Sequence, residues 1–168
     1  MKRFFLLIAV VFAVFLGIVA WGMTLPDTQT VERSAVMAAD PDSVFEALDD
    51  PATHARWSPY VPEDADARSD GATGEGATLA FSSPDGRVGS LEVVQSVAPE
   101  LVLISTLERD DAMMVTYALL PDGDGTLVVA SESRPLNGPL ARVGARLRRG
   151  AVEARLDAAL RGLQDFTR

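Results

Sequence analysis

The chain has 168 residues, of which 48% are hydrophobic and 23% charged, and this composition excludes a disordered protein. Cysteine is absent and His54 is the only histidine, which excludes disulfide frameworks, cysteine-ligated zinc, iron–sulfur clusters and thiol catalysis. The 24 acidic residues outnumber 15 basic ones, and the net charge of −9 argues against a nucleic-acid-binding protein. We expect no metal, no cofactor and no nucleic-acid partner.

The N-terminal segment is long and apolar enough to cross a membrane. Residues 4–21 carry no charge, and as a helix these 18 residues rise about 27 Å, close to the thickness of a bilayer core. Lys2 and Arg3 precede the run, so the positive-inside rule places the N-terminus in the cytoplasm and the rest in the periplasm or outside the cell. We predict a single-pass signal anchor of the inner or plasma membrane over residues 1–25. A cleaved signal peptide is the alternative, although its apolar core typically spans only about 7–15 residues.

Residues 26–30 read as a short linker, and residues 31–168 are long enough for one folded domain. A strand is predicted over residues 31–37. Asp40 and Pro41 then have the residue types of a helix N-cap and first helical position. A second short helix opens at Pro51 and ends before Pro59. Residues 63–74 are polar and acidic and predict a loop with at most one edge strand.

The middle of the chain predicts an antiparallel meander. Five segments of strand-like alternation, 77–82, 88–97, 101–107, 113–119 and 126–133, are separated by short turns. The sequence Asp-Gly-Asp-Gly at 122–125 is a strong hairpin signal. Alternation places Met113, Val115 and Tyr117 on one face of their strand.

Residues 139–166 form the longest helical pattern. Its apolar positions recur at three- and four-residue spacing along Leu140, Val143, Leu147, Ala151, Ala154, Ala158 and Leu160 to Leu163, with Val152, Leu156 and Phe166 beside them. Such a stripe requires burial, and one face of the sheet is the available partner. The sequence therefore predicts an α+β domain.

Two phrases within this order of elements resemble a known superfamily. They are Asp-Pro-Asp-Ser-Val-Phe-Glu-Ala-Leu-Asp-Asp-Pro at 40–51 and Arg-Trp-Ser-Pro-Tyr at 56–60. Together with the order of elements over residues 30–166, they resemble the START-like (SRPBCC) superfamily, which includes polyketide cyclases and dehydratases and lipid-transfer domains. The resemblance implies a helix-grip fold, in which a curved antiparallel sheet wraps around a long C-terminal helix and leaves a cavity. It supplies no universal catalytic motif, so we assign no catalytic residue.

The resemblance implies that the domain binds a small hydrophobic or lipid-like molecule between the sheet and the C-terminal helix. Alanine and glycine on the helix leave room there, although the same residues would also permit close packing without a pocket. The candidate cavity residues are Trp57, Tyr60, Phe81, Leu91, Val93, Met113, Val115, Tyr117, Leu147, Ala151 and Ala154.

Two other functions stay open. A cyclase- or dehydratase-like enzyme would need polar side chains that converge in the cavity, and His54, Tyr117 and Arg109 are the loose candidates. The other is a non-catalytic interaction protein of the cell envelope. For His54 an exposed or capping position is favoured, and for Glu92 and Glu132 a solvated, convex sheet face.

Charge is distributed unevenly along the chain. The acidic loop Glu63, Asp64, Asp66 and Asp70 lacks the regular spacing of a calcium loop and is interpreted as solvated. Residues 139–168 have a net charge of +4, and Arg142, Arg146 and Arg149 share one helix face. Pairing of these arginines with acids of the domain is favoured over contact with anionic lipid headgroups.

Overall fold

A computed structural model describes residues 2–108 and 111–168, with the backbone alone for residues 2 and 3. The helices are α1 (Lys2–Met23), α2 (Pro41–Asp49), α3 (Pro51–Trp57) and α4 (Pro139–Phe166). The strands are β1 (Thr28–Met37), β2 (Asp66–Ser69), β3 (Thr78–Ser82), β4 (Val88–Val97), β5 (Leu101–Glu108), β6 (Asp111–Asp122) and β7 (Gly125–Pro135). The predicted order of elements is confirmed. Strand β1 begins three residues before the predicted strand.

All seven strands form one antiparallel sheet in the order β1-β7-β6-β5-β4-β3-β2. Five consecutive strands make the predicted meander, and β1 returns to pair with β7 along its whole length, from Thr28 opposite Pro135 to Met37 opposite Thr126. The curved sheet and the long helix α4 are the helix-grip architecture, so the predicted fold class is confirmed.

The two short helices begin as the sequence predicts. Asp40 accepts a hydrogen bond from the backbone N–H of Ser43 at 3.0 Å, and Asp50 accepts one from Ala52 at 2.9 Å. Pro41 and Pro51 occupy the first helical positions. These caps satisfy amide groups that a helix start otherwise leaves unpaired, and the helices connect β1 to the first strand of the meander.

Helix α4 packs on the sheet through only part of the predicted apolar stripe, which includes the buried Val143, Val152, Leu156, Leu160 and Leu163. The buried residues of its second half are Val152, Leu156, Ala159, Leu160 and Leu163. In the predicted stripe, Leu140 is 52% exposed and Leu147 77% exposed, and both Ala151 and Ala154 are exposed, so that prediction is wrong for these residues. The larger apolar side chains at 152, 156, 160 and 163 bury more area than a row rich in alanine, and they decide which face meets the sheet.

Polar side chains fix the position of α4 along β1. Gln29 Nε2 donates to the carbonyl oxygen of Ala145 at 2.8 Å, and Arg33 pairs with Glu153 at 2.7 Å. These two contacts join the edge strand β1 to the middle of α4.

Helix α1 projects from this domain. Its segment Phe4–Met23 is long and apolar enough for a membrane span, and its residues are exposed apart from the half-buried Val19 and the buried Gly22. Only the end of the helix makes close contact, because a side chain at Gly22 would clash with the backbone of Pro139 at the start of α4. The end of α1 therefore packs directly against the beginning of α4.

Candidate ligand-binding site

The predicted cavity residues fall into two groups in the structure. Eight of them, from the sheet and the segment after α2, belong to one buried core: Trp57, Tyr60, Phe81, Leu91, Val93, Met113, Val115 and Tyr117. The three helix residues, Leu147, Ala151 and Ala154, are exposed instead. Ala151 alone of these three lines a cleft that adjoins the core.

This cleft, which we call the β7–α4 cleft, has a volume of about 450 Å³. It lies between the end of β7, the loop that follows and the first half of α4. Its lining includes Gln29, Arg134, Leu136, Ala151, Val152 and Arg155. Apolar side chains thus alternate with arginines, which is the composition of a site for a molecule with one apolar and one polar end.

A buried carboxylate lies next to two of these arginines. Glu132 on β7 is only 3% exposed. Its carboxylate accepts hydrogen bonds from Arg155 Nη2 at 2.6 Å and Nε at 3.1 Å, and from the hydroxyl of Tyr60 at 3.0 Å. The arginine fork is bidentate, the strongest geometry for this pair. The guanidinium of Arg155 also lies 5.3 Å from the centre of the Tyr60 ring.

The prediction that Glu132 lies on a solvated convex face is wrong. On β7 the buried positions are Thr126, Val128, Ala130 and Glu132, and the alternation simply continues to the carboxylate. This period of two was visible in the sequence and could have identified Glu132, whereas nothing in the sequence indicated its partner Arg155. Glu92 is exposed, as predicted.

Arg134 adds a second cation to the cleft. Its Nη1 pairs with Asp111 at 2.8 Å, and its Nη2 is 3.8 Å both from Glu132 and from the sulfur of Met113. Arg134 is therefore held mainly by an exposed acid, and its second nitrogen faces the buried carboxylate at a distance too long for a strong hydrogen bond.

Two buried tyrosines lie beside Glu132. Burial, with the negative charge of Glu132, raises the pKa of both Tyr60 and Tyr117 well above the ordinary value, so both phenols stay protonated and act as donors. Tyr60 donates to Glu132, whereas the buried Tyr117 hydroxyl has no hydrogen-bond partner within residues 2–108 and 111–168. An unpaired buried donor is costly, so removal of this hydroxyl should not lower the stability of the fold.

His54 is buried and not exposed, but it has the expected capping position, because it bonds a carbonyl in the last turn of α2. It is 1% exposed, its Nε2 donates to the carbonyl oxygen of Leu48 at 3.0 Å, and burial lowers its pKa to about 4. Its ring packs against Trp57, which in turn contacts Tyr117, with ring centres 4.4 and 6.2 Å apart. Trp57 therefore separates His54 from Tyr117. Arg109, the third loose candidate for catalysis, lies outside the described residues.

The acidic loop does not assemble a site. Asp66 pairs with Arg68 at 2.9 Å, and Asp70 accepts from the backbone and hydroxyl of Thr78 at 3.0 and 2.9 Å. Across the part of the chain that the structure describes, no group of three acids or histidines is arranged to hold a metal ion.

Comparison with known proteins places this geometry in a family. Residues 28–165 match the family model "Polyketide cyclase / dehydrase and lipid transport". Among curated proteins, none matches the sequence.

Solved structures of the same fold come from several bacteria. A protein from Rhodobacter sphaeroides is 23% identical with a TM-score of 0.61, over 85% of this chain and 93% of that one. An uncharacterised protein from Rhizobium leguminosarum is 19% identical with a TM-score of 0.62, over 83% and 94%. CalU16 from Micromonospora echinospora is 21% identical with a TM-score of 0.55, over 84% and 75%. The family match spans the whole sheet and nearly all of α4, and the chain therefore belongs to the polyketide cyclase / dehydrase and lipid transport family.

Proposed function

We propose that this protein is a membrane-anchored binding protein that holds a small amphipathic molecule in the β7–α4 cleft. The observation that carries the proposal is the buried Glu132, which is bonded to Arg155 and Tyr60 at the edge of a cleft of about 450 Å³. A hydrophobic ligand or a lipid-like molecule fits the family, and the arginines add a preference for a polar or acidic end.

The charges of the cleft support an acidic headgroup. Arg134, Arg148 and Arg155 line it together with one acid, Asp111, and Glu132 lies behind them. Three cations against two anions leave one positive charge unmatched. Arginine in a partly desolvated cleft binds carboxylate or phosphate through two parallel hydrogen bonds, so the ligand's acidic end would bind there.

The apolar part of the ligand would contact the apolar lining of the cleft, which includes Leu136, Ala141, Ala151 and Val152. Of the predicted cavity residues, Ala151 lines the cleft, whereas Val115 lies in the core opposite Glu132 on the neighbouring strand.

Binding fits the cluster better than catalysis. An acid–base reaction needs a carboxylate that is free to take up a proton. Glu132 already accepts three hydrogen bonds, two of them from an arginine, so both of its oxygens are occupied. The cyclase- or dehydratase-like alternative would require a ligand to displace these partners.

The anchoring part of the proposal rests on α1. Its apolar segment Phe4–Met23 is exposed throughout residues 4–18, as a segment surrounded by lipid would be. With Lys2 and Arg3 on the cytoplasmic side, the domain would lie in the periplasm or outside the cell. Fractionation tests this directly, because an anchored chain requires detergent for extraction whereas a cleaved one is released in soluble form.

A blocking substitution tests the cleft. Ala151 lines the cleft and is exposed, so Ala151→Trp would fill it without disturbing the core. Ala154→Trp is the matched control, because Ala154 is equally exposed on the same helix but does not line the cleft. The full chain in nanodiscs is titrated with 2-naphthoate and with its neutral analogue 2-naphthylmethanol, both followed by fluorescence.

We expect 2-naphthoate to bind more tightly than 2-naphthylmethanol. Ala151→Trp should abolish this binding and Ala154→Trp should preserve it. Equal loss in both variants, or no binding of either probe to the unmodified protein, would contradict the proposal.

A further inference from the structure

A second, smaller pocket lies where α1, β1 and α4 meet. It has a volume of about 170 Å³, far more than the roughly 10–15 Å³ that one water requires. Its lining includes Leu25, Thr28, Arg142, Ala145, Arg146 and Arg149. This junction pocket is separated from the β7–α4 cleft by Gln29 and Ala145, which line both.

The arginines of the junction pocket are poorly neutralised. Arg142 donates through Nη1 to the carbonyl oxygen of Leu25 at 3.1 Å, while its buried Nε has no hydrogen-bond partner in the described ranges 2–108 and 111–168. Arg146 is exposed and forms no ion pair within those ranges. Only Arg149 pairs with an acid, Glu153, at 3.0 Å. The expectation that all three arginines pair with acids is therefore wrong for Arg142 and Arg146.

The pocket lies beside the end of the apolar helix. Gly22, in the last turn of α1, packs against Pro139. At about 1.5 Å of rise per residue, Arg142 follows that contact by about 5 Å and Arg146 by about 10 Å along α4. The polar headgroup region on each side of a bilayer core is about 5–8 Å thick. If α1 spans the bilayer, these guanidinium groups lie within reach of the headgroups.

We propose that the junction pocket binds the phosphate of an anionic membrane phospholipid through Arg142 and Arg146. This inference rests on the anchoring role of α1 and is independent of the ligand in the β7–α4 cleft. The free Nε of Arg142 supplies a buried donor, and Arg146 supplies a mobile, exposed one. A phosphate diester with a net negative charge satisfies both, whereas the trimethylammonium of phosphatidylcholine adds a positive charge beside them.

The remaining charge of the domain favours a local contact over general attraction. The protein has a net charge of −9, and Asp27 lies in the segment between α1 and β1, next to the pocket-lining Pro26 and Thr28. An anionic surface would repel most of the domain. The contact should therefore involve one bound lipid and not a broad basic face.

Lipid titration tests the proposal on the full chain. Protein solubilised in a non-ionic detergent is titrated with phosphatidylglycerol or phosphatidylcholine, and bound lipid is counted by native mass spectrometry. Each arginine near a membrane surface contributes about a fivefold gain in affinity for anionic lipid. We expect phosphatidylglycerol to be preferred by about tenfold or more, and Arg142→Gln with Arg146→Gln to remove the preference.

Two controls make the result specific. Arg161→Gln with Arg168→Gln changes the charge equally at the other end of α4 and should keep the preference. Arg146→Gln alone removes an exposed side chain, cannot disturb the fold, and should lower the preference about fivefold.

Equal binding of the two lipids would overturn the proposal, and so would an equal loss in the control pair. Glycerol phosphate that competes as strongly as phosphatidylglycerol would show a site for free phosphate and overturn the lipid assignment. Fractionation reports separately on the anchor, and 2-naphthoate binding reports separately on the cleft.

Discussion

Removal of Arg155 should destabilise the protein more than removal of the charge of its partner Glu132. The side chain of Glu132 is 2% exposed, and that of Arg155 is 30% exposed. Arg155→Met leaves a buried carboxylate with Tyr60 and a distant Arg134, 3.8 Å away. Glu132→Gln leaves an arginine that can reach solvent, and Gln still accepts from Tyr60.

These differences translate into magnitudes. Removing one partner of a buried pair costs about 3–5 kcal/mol, and the lower end applies here because Arg155 is partly exposed and Arg134 remains. We expect about 3 kcal/mol for Arg155→Met and about 1–2 kcal/mol for Glu132→Gln. The double variant should be less destabilised than the sum of the two by about 2 kcal/mol.

Thermal unfolding of the full chain in nanodiscs, followed by the far-ultraviolet circular dichroism of the sheet, measures these effects. For a domain of this size about 1 kcal/mol corresponds to roughly 3 °C, so Arg155→Met should lower the Tm by about 10 °C. Arg149→Met is the control. Its partner Glu153 is a half-buried (i, i+4) neighbour that keeps its pair with Arg33, so the loss should stay below about 0.5 kcal/mol. Equal losses of stability in Arg155→Met and Glu132→Gln, or strictly additive losses in the double variant, would contradict the argument from a buried carboxylate.

Three further outcomes follow from buried groups. Because the unfolded chain protonates His54 below about pH 6.5 and the folded one only below about 4, stability falls as the pH is lowered between these values. When the pH is lowered from about 7.5 to 5, this histidine should lower the free energy of unfolding by about 2 kcal/mol, as measured by urea unfolding. Tyr117→Phe should leave stability within about 0.5 kcal/mol, whereas Tyr60→Phe should cost about 1.5–3 kcal/mol. Gly162→Ala should cost at least about 2 kcal/mol because its methyl group would clash with the α3 backbone, whereas Gly150→Ala, with open space around it, should stabilise by about 0.5–1 kcal/mol.

Each of these predictions has its own control. His54→Gln keeps a donor for the carbonyl of Leu48 and should remove the fall in the free energy of unfolding that His54 causes between pH 6.5 and 4. An unchanged fall would show that other groups cause it. If Tyr117→Phe lost as much stability as Tyr60→Phe, the Tyr117 hydroxyl would have to have a partner. A harmless Gly162→Ala would mean that α3 and α4 are less closely packed than the structure has them.

Much of the fold could be predicted from local patterns. Proline positions and capping aspartates located the starts of α2 and α3, and strand alternation located the meander, because both signals act over a few residues. The face of α4 was harder. The predicted stripe was wider than the buried face, and only the packing on the sheet decides that Leu156 lies inside that face and Leu147 outside it.

Local sequence patterns could not identify the site around Glu132 for a related reason. The cost of burying Glu132 is offset by Arg155, which lies 23 residues away on another element. A rule that acidic residues face solvent fails where a distant partner exists, and only the packing of α4 on β7 reveals that partner. The same packing leaves the β7–α4 cleft, whose arginines the sequence pattern did not distinguish from other surface cations.

A structure of the full chain bound to 2-naphthoate tests the central claim most directly. We expect its carboxylate within hydrogen-bond distance of Arg155 or Arg134 and its rings in contact with Leu136, Ala151 and Val152. A naphthoate located outside the β7–α4 cleft, or one whose carboxylate points to solvent while its rings contact only the exposed face of α4, would contradict it.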